Sequence, residues 1–180
     1  MEILRYIRDY AAKPGLCFLL IGGHAINTYG VQRGTADVDL LVERSKREQW
    51  KDILQRIRYS VYFEHENFIQ FKPPELGLWP VDLMLVDDGV FSKLDESAEV
   101  VELGGIQVRV PSIKHLIALK LHAMKERFQK GSLKDFDDIV NLLKVGGLDI
   151  ASNELRELSL KYVSEEQYQQ LKAAAQERND

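Results

Sequence analysis

The alternation of apolar and polar positions divides the chain into two regimes. Residues 2–12 read as an amphipathic helix, stopped by Pro14-Gly15. Leu16-Cys17-Phe18-Leu19-Leu20-Ile21 is an unbroken apolar run, short enough for a buried strand. Gly22-Gly23 then open a short helix through about Tyr29, ended by Gly30. Residues 37–42 alternate acidic and apolar before running out in Leu40-Leu41-Val42, which predicts a strand, and residues 45–58 form a charged helix around Trp50, Ile53, Leu54 and Ile57. Tyr59–His65 and Phe68–Phe71 predict paired strands joined near Glu66-Asn67. A Pro73-Pro74 loop with Gly77 leads to a strand at Val81–Val86, and residues 99–103 and 106–110 form a hairpin turning at Gly104-Gly105. After Pro111-Ser112 the period becomes helical, with helices expected at about 112–128, 133–144, 151–162 and 164–177.

The layout is α/β (α+β): a mixed β-sheet unit over residues 1–110 with flanking helices, followed by a C-terminal helical subdomain over 111–180 packed on it. The 180 residues leave little room for two independent cores. No apolar stretch reaches membrane length, and the N-terminus lacks the apolar core of a signal peptide, so a cytoplasmic protein is expected. Cys17 is the only cysteine, which excludes a disulfide within one chain; its place in an apolar run predicts a small buried side chain.

Charge narrows the partners. The formal net charge of −4 argues against a wide nucleic-acid groove, because phosphate neutralisation supplies most of such affinity. The distribution is uneven, however. Residues 111–134 carry Lys114, Lys120, Lys125, Arg127, Lys130 and Lys134 against Glu126 alone, whereas residues 87–102 are strongly acidic. The basic run permits a polyanion without requiring one.

The candidate chemistry lies in the acids and glycines. Residues i and i+2 of a strand share a face, so Asp37 and Asp39 project together while Val38, Leu40 and Val42 turn to the core. Two adjacent carboxylates repel unless a cation compensates, and an oxygen-only site favours magnesium. Asp82 is a third acid in an otherwise apolar strand, where it needs a partner or solvent. Gly22-Gly23, between a buried strand and a helix, let backbone N–H groups approach a phosphate. Lys120 and Arg127 lie on the apolar stripe Ile113, Ile117, Lys120, Met124 and Arg127, where a triphosphate or Asp135 would balance them. His65, His115 and His122 have no metal-ligand spacing. The aromatics Tyr59, Tyr62, Phe63, Phe68 and Phe71 alternate as for packing in a sheet.

Ile21-Gly22-Gly23-His24-Ala25, followed by Arg33-Gly34-Thr35-Ala36-Asp37-Val38-Asp39-Leu40-Leu41-Val42, resembles the signature of the DNA polymerase β-type nucleotidyltransferase superfamily. Many members have Ser where this chain has Gly23. Lys120, Arg127 and Lys134-Asp135 look like a motif of minimal bacterial members, including the abortive-infection (AbiEii-type) toxins of toxin–antitoxin systems. Aminoglycoside and lincosamide nucleotidyltransferases are more distant relatives in that superfamily. The resemblance implies a mixed-sheet nucleotidyltransferase fold with Asp37, Asp39 and Asp82 as catalytic metal ligands for Mg2+ (or Mn2+). Gly22, Gly23, His24, Arg33, Thr35 and Lys120 would surround the NTP co-substrate, ATP among the candidates, and Arg127 would pair with Asp135.

The implied reaction moves a nucleoside monophosphate from NTP to an acceptor hydroxyl and releases pyrophosphate. The acceptor is a small molecule or an RNA such as tRNA. An antitoxin or a second copy forming a homodimer would be the protein partner. The rival reading from another class is a non-catalytic nucleotide-binding protein that keeps the fold, against which the three retained aspartates speak.

Overall fold

The computed structural model describes residues 2–126 and 132–177. Arg127 and Lys130, expected in the basic helix, lie outside the described residues, and with Arg127 lies its expected pairing with Asp135. The chain divides into two compact units, Met1–Thr28 with Arg33–Ser112, and Tyr29–Gln32 with Ile113–Asp180.

The first unit is built on a five-stranded mixed sheet. Its elements run α1 (Glu2–Ala12), β1 (Leu19–Ile21), α2 (Gly22–Thr28), β2 (Val38–Glu43), α3 (Arg47–Arg56), β3 (Ser60–Glu64), β4 (Phe68–Lys72), β5 (Val81–Val86), α4 (Asp88–Glu96), β6 (Glu99–Glu102) and β7 (Gln107–Val110). Strand order is β1-β2-β5-β4-β3; only β2 and β5 pair in parallel. The pair β6–β7 forms a separate hairpin, with β7 lying against β1. One sheet face is apolar and buried through Val38, Leu40, Val42, Val81, Leu83, Leu85, Ile69 and Phe71. Helices α1 and α3 pack on each other and bury Leu4, Ile7, Trp50 and Leu54.

Several expectations change here. The apolar run at 16–21 becomes a strand only from Leu19, and Cys17 is exposed rather than buried, because the residues before the strand are still leaving the turn after α1. The acidic segment after β5 forms α4, which the sequence pattern did not announce; Phe91 and Leu94, one turn apart, are its buried residues. Of the aromatics, Tyr59 and Phe71 are buried, but Tyr62 and Phe63 are 63% and 47% exposed. They sit on the edge strand β3, at a register shift between Val61 and Phe63. There Phe63 stacks on Phe68 and the Lys72 ammonium lies over the Tyr62 ring. The edge is tied to α3 by charge: Arg47 and Lys51 both reach Glu64, at 2.6 and 3.1 Å, and their hydrogen bonds hold its carboxyl below the usual range.

The second unit is helical, with α5 (Ile113–Glu126), α6 (Ser132–Val145), α7 (Asn153–Leu160) and α8 (Glu165–Glu177). Leu116, Ile117 and Leu121 of α5 and Ile139, Leu142 and Leu143 of α6 are buried, with Leu155, Tyr168 and Leu171 from the later helices.

Helix α3 ends in a Schellman turn, with Tyr59 N–H donating to Leu54 O and Arg58 N–H to Gln55 O. The left-handed position of that turn is Arg58, at φ 67°, the only described residue besides glycine with positive φ. A side chain there costs about 1 kcal/mol. Arg58→Gly should therefore raise the unfolding free energy by about 0.5–1 kcal/mol, measured by urea denaturation at unchanged m-value.

Candidate active site

The sheet register assembles the acids. Ile21 of β1 is opposite Asp39 of β2, Asp39 opposite Asp82 of β5, Asp82 opposite Gln70 of β4, and Gln70 opposite Phe63 of β3. Residues opposite one another share a face, so Asp39, Asp82 and Gln70 form one row across the side of the sheet away from the apolar face. Asp37 precedes β2 and joins them. One carboxylate oxygen from each of Asp37, Asp39 and Asp82 lies within 4.8 Å of the others. Gln70 Nε2 donates to Asp82 Oδ2 at 2.8 Å, and Thr35 Oγ1 donates to Asp37 Oδ1 at 2.8 Å. Hard oxygen ligands at this spacing, on three separate carboxylates, fit a magnesium-type cation, and the same set suits manganese.

Gly22 and Gly23 are fixed by what touches them. Gly22 has φ +65°, and a Cβ there would strike the Asp39 carboxylate, its Cγ at 2.6 Å. A Cβ on Gly23 would strike the Arg33 guanidinium and come within 2.7 Å of Thr35 Cβ. The glycine pair is thus the surface against which Asp39, Arg33 and Thr35 pack. Asn27 secures the loop: its Nδ2 donates to Arg33 O at 2.8 Å, and its Oδ1 accepts from Arg33 N at 3.0 Å. Neither Asn27 nor Gln70 stands out in the sequence. Amide side chains carry no charge signal, and only the fold reveals what they bond.

His24 is buried and stacks on Trp79, with ring centroids 4.6 Å apart. Its Nε2 has no hydrogen-bond partner among the described residues. Burial lowers its pKa, outweighing the opposing pull of Asp37. His65 and His122 are exposed, and burial also lowers His115.

Within the helical unit, Lys120 Nζ lies 2.8 Å from Asp135 Oδ1 and 2.8 Å from Asp138 Oδ2. Both acids are almost fully buried. Asp135, one of the partners the sequence offered Lys120, is bonded to it, together with Asp138, one turn further along α6. Lys114 is bonded to Glu154 at 2.7 Å.

No family model matches the chain, and no curated protein matches it in sequence. Solved structures do. The structure is similar to ANT(2'')-Ia in complex with adenylyl-2''-tobramycin, with a TM-score of 0.59 and 18% identity over 99% of this chain and 98% of that one. It is similar to the lincosamide antibiotic adenylyltransferase LnuA, lincomycin-bound, with a TM-score of 0.58 and 16% identity over 81% of this chain and 97% of that one. The Megavirus polyadenylate synthase gives a TM-score of 0.56 and 17% identity, covering 84% of this chain and 32% of that one. At such identities the likeness establishes the fold alone, one shared with these nucleotidyltransferases.

Gly22→Ala forces both a left-handed backbone and a collision with Asp39, and should lower the unfolding free energy by about 2 kcal/mol or more, read by chemical denaturation. His24 and His115 are held below their ordinary pKa, so the unfolded chain takes up protons that the folded chain resists. The stability is fully present above about pH 6.5, the unfolded value, and declines as pH falls below it. The melting temperature of the metal-free protein should drop from pH 7.5 to 5.5, and His115→Gln should make the decline shallower.

Proposed function

We propose that this chain transfers a nucleoside monophosphate from an NTP, with ATP the first to test, to an acceptor hydroxyl, releasing pyrophosphate. The observation that carries the reading is the convergence of Asp37, Asp39 and Asp82 beside the Gly22-Gly23 turn. In this scheme the three aspartates hold divalent magnesium. When bound, the metal neutralises phosphate charge and acidifies the attacking hydroxyl. Asp82, at the end of the trio nearest β4, orients the acceptor and takes its proton. The backbone N–H groups of Gly22 and Gly23 and the Arg33 guanidinium receive the phosphates, since no Cβ intervenes at the turn. Thr35 steadies Asp37 through its hydroxyl. His24, stacked on Trp79, is a wall beside the turn. Lys120, shared by Asp135 and Asp138, serves the α5–α6 pair.

For the acceptor we favour a small polyhydroxylated molecule over RNA. Two cations of the basic segment, Lys114 and Lys120, are already bonded to acids, which weakens it as a phosphate-binding face. The likeness to ANT(2'')-Ia spans nearly the full length of both chains, whereas the polyadenylate synthase is matched over a third of its length. A tRNA-modifying toxin with an antitoxin partner would use the same aspartates and differ in acceptor alone.

The test is incubation with each labelled NTP, magnesium and candidate acceptors, small molecules and tRNA in parallel. Label should move to an acceptor in the wild type. The Asp37→Asn, Asp39→Asn double variant should fall by about a hundredfold or more and lose the rise in melting temperature with magnesium and NTP. An unchanged thermal response in that variant would sink the proposal.

A further inference from the structure

We infer that Gln70 is a positioning residue for the proposed metal site, acting through Asp82; this deepens the reading above and rests on it. The argument starts from the row across the sheet. Asp39 and Asp82 stand opposite each other on adjacent parallel strands, and Gln70 stands opposite Asp82 on the far side. Asp82 is therefore flanked by a carboxylate on one side and an amide on the other. A carboxylate beside another carboxylate swings away from it unless something holds it. The Gln70 amide supplies the hold, with Nε2 donating to Oδ2 at 2.8 Å. Both residues are half-buried, so water competes less for that oxygen than at an open surface.

The choice of side chain is informative. A lysine or arginine at position 70 would also donate to Asp82, but it would bring a positive charge into the row and reduce the site's attraction for a cation. Glutamine reaches, donates and leaves the charge of the three aspartates intact. Outer hydrogen bonds of this kind fix the orientation of a ligand and tune its affinity for the ion. Thr35 does the same for Asp37, so both flanking members of the trio are held by uncharged donors.

The experiment is a double-mutant cycle on Mn2+ affinity, measured by calorimetry and by the spin-resonance signal of free Mn2+, with no turnover required. The variants are Gln70→Met, Asp82→Asn and both together. Methionine keeps the length and removes the donor; should it fold poorly, as judged by metal-free melting, Gln70→Val removes the donor with a strand-favouring residue. Gln70→Met should weaken Mn2+ binding about tenfold at a melting temperature near wild type. It should have little further effect once Asp82 is Asn, because the residue it acts through is gone. Unchanged affinity in Gln70→Met and Gln70→Val, or an equal loss with and without Asp82, would overturn the assignment. A wild type that binds no Mn2+ would instead overturn the metal reading itself, and this inference with it.

Discussion

The parallel pairing of β2 with β5 is the constraint on which the rest of the first unit depends. It places Val38, Leu40 and Val42 beside Val81, Leu83 and Leu85 on one face, and Asp39 beside Asp82 on the other. The first consequence is favourable: six branched aliphatic side chains leave water together, each contributing roughly 1.5–3 kcal/mol. The second is unfavourable, since two carboxylates meet across a strand gap with Asp37 close by. The pairing cannot have one without the other. The apolar face thus supplies the free energy that holds the acids together, and the amide and hydroxyl donors around them set how each carboxylate points.

Small and uncharged residues shape the site as much as the acids do. Gly22 leaves room for the Asp39 carboxylate, Gly23 leaves room for Arg33 and Thr35, and Asn27 fixes the Arg33 backbone from both its oxygen and its nitrogen. This arrangement concentrates the rigid contacts beneath the acids, on the β1–α2 turn. The opposite edge is built differently: β3 is secured by the ion pairs of Glu64 and carries aromatic rings open to solvent.

What could be read from the sequence was local. Asp37 and Asp39 share a face by strand geometry alone, and the order glycine turn, short helix, acidic strand is written within a few turns of chain. The expected mixed sheet and flanking helices are present. What could not be read depended on register. Asp82 could be set with Asp37 and Asp39 only through the resemblance; its register with Asp39, and that of Gln70 with Asp82, comes from how three strands slide against one another, which no single window contains. Asp138 joined Asp135 on Lys120 because two helices meet there, and α4 was hidden because its buried Phe91 and Leu94 stand among acids. Cys17 and the β3 aromatics were misjudged for a common reason: hydrophobicity reports what a residue tolerates, while exposure is decided by where the strand begins and whether it has a second neighbour.

The connection between β2 and β5 has a kinetic consequence. The two strands are neighbours in the sheet, yet the chain between them runs through all of α3, β3 and β4. Closing so long a loop costs entropy before any contact rewards it, whereas the β3–β4 hairpin closes locally. During folding the carboxylates of β2 and β5 therefore stay apart, each solvated, while local structure forms. Their mutual repulsion enters when the central strands pair, in the same step that closes the buried face. Placing Asp82 on a strand distant in sequence delays its meeting with Asp37 and Asp39 until those strands pair.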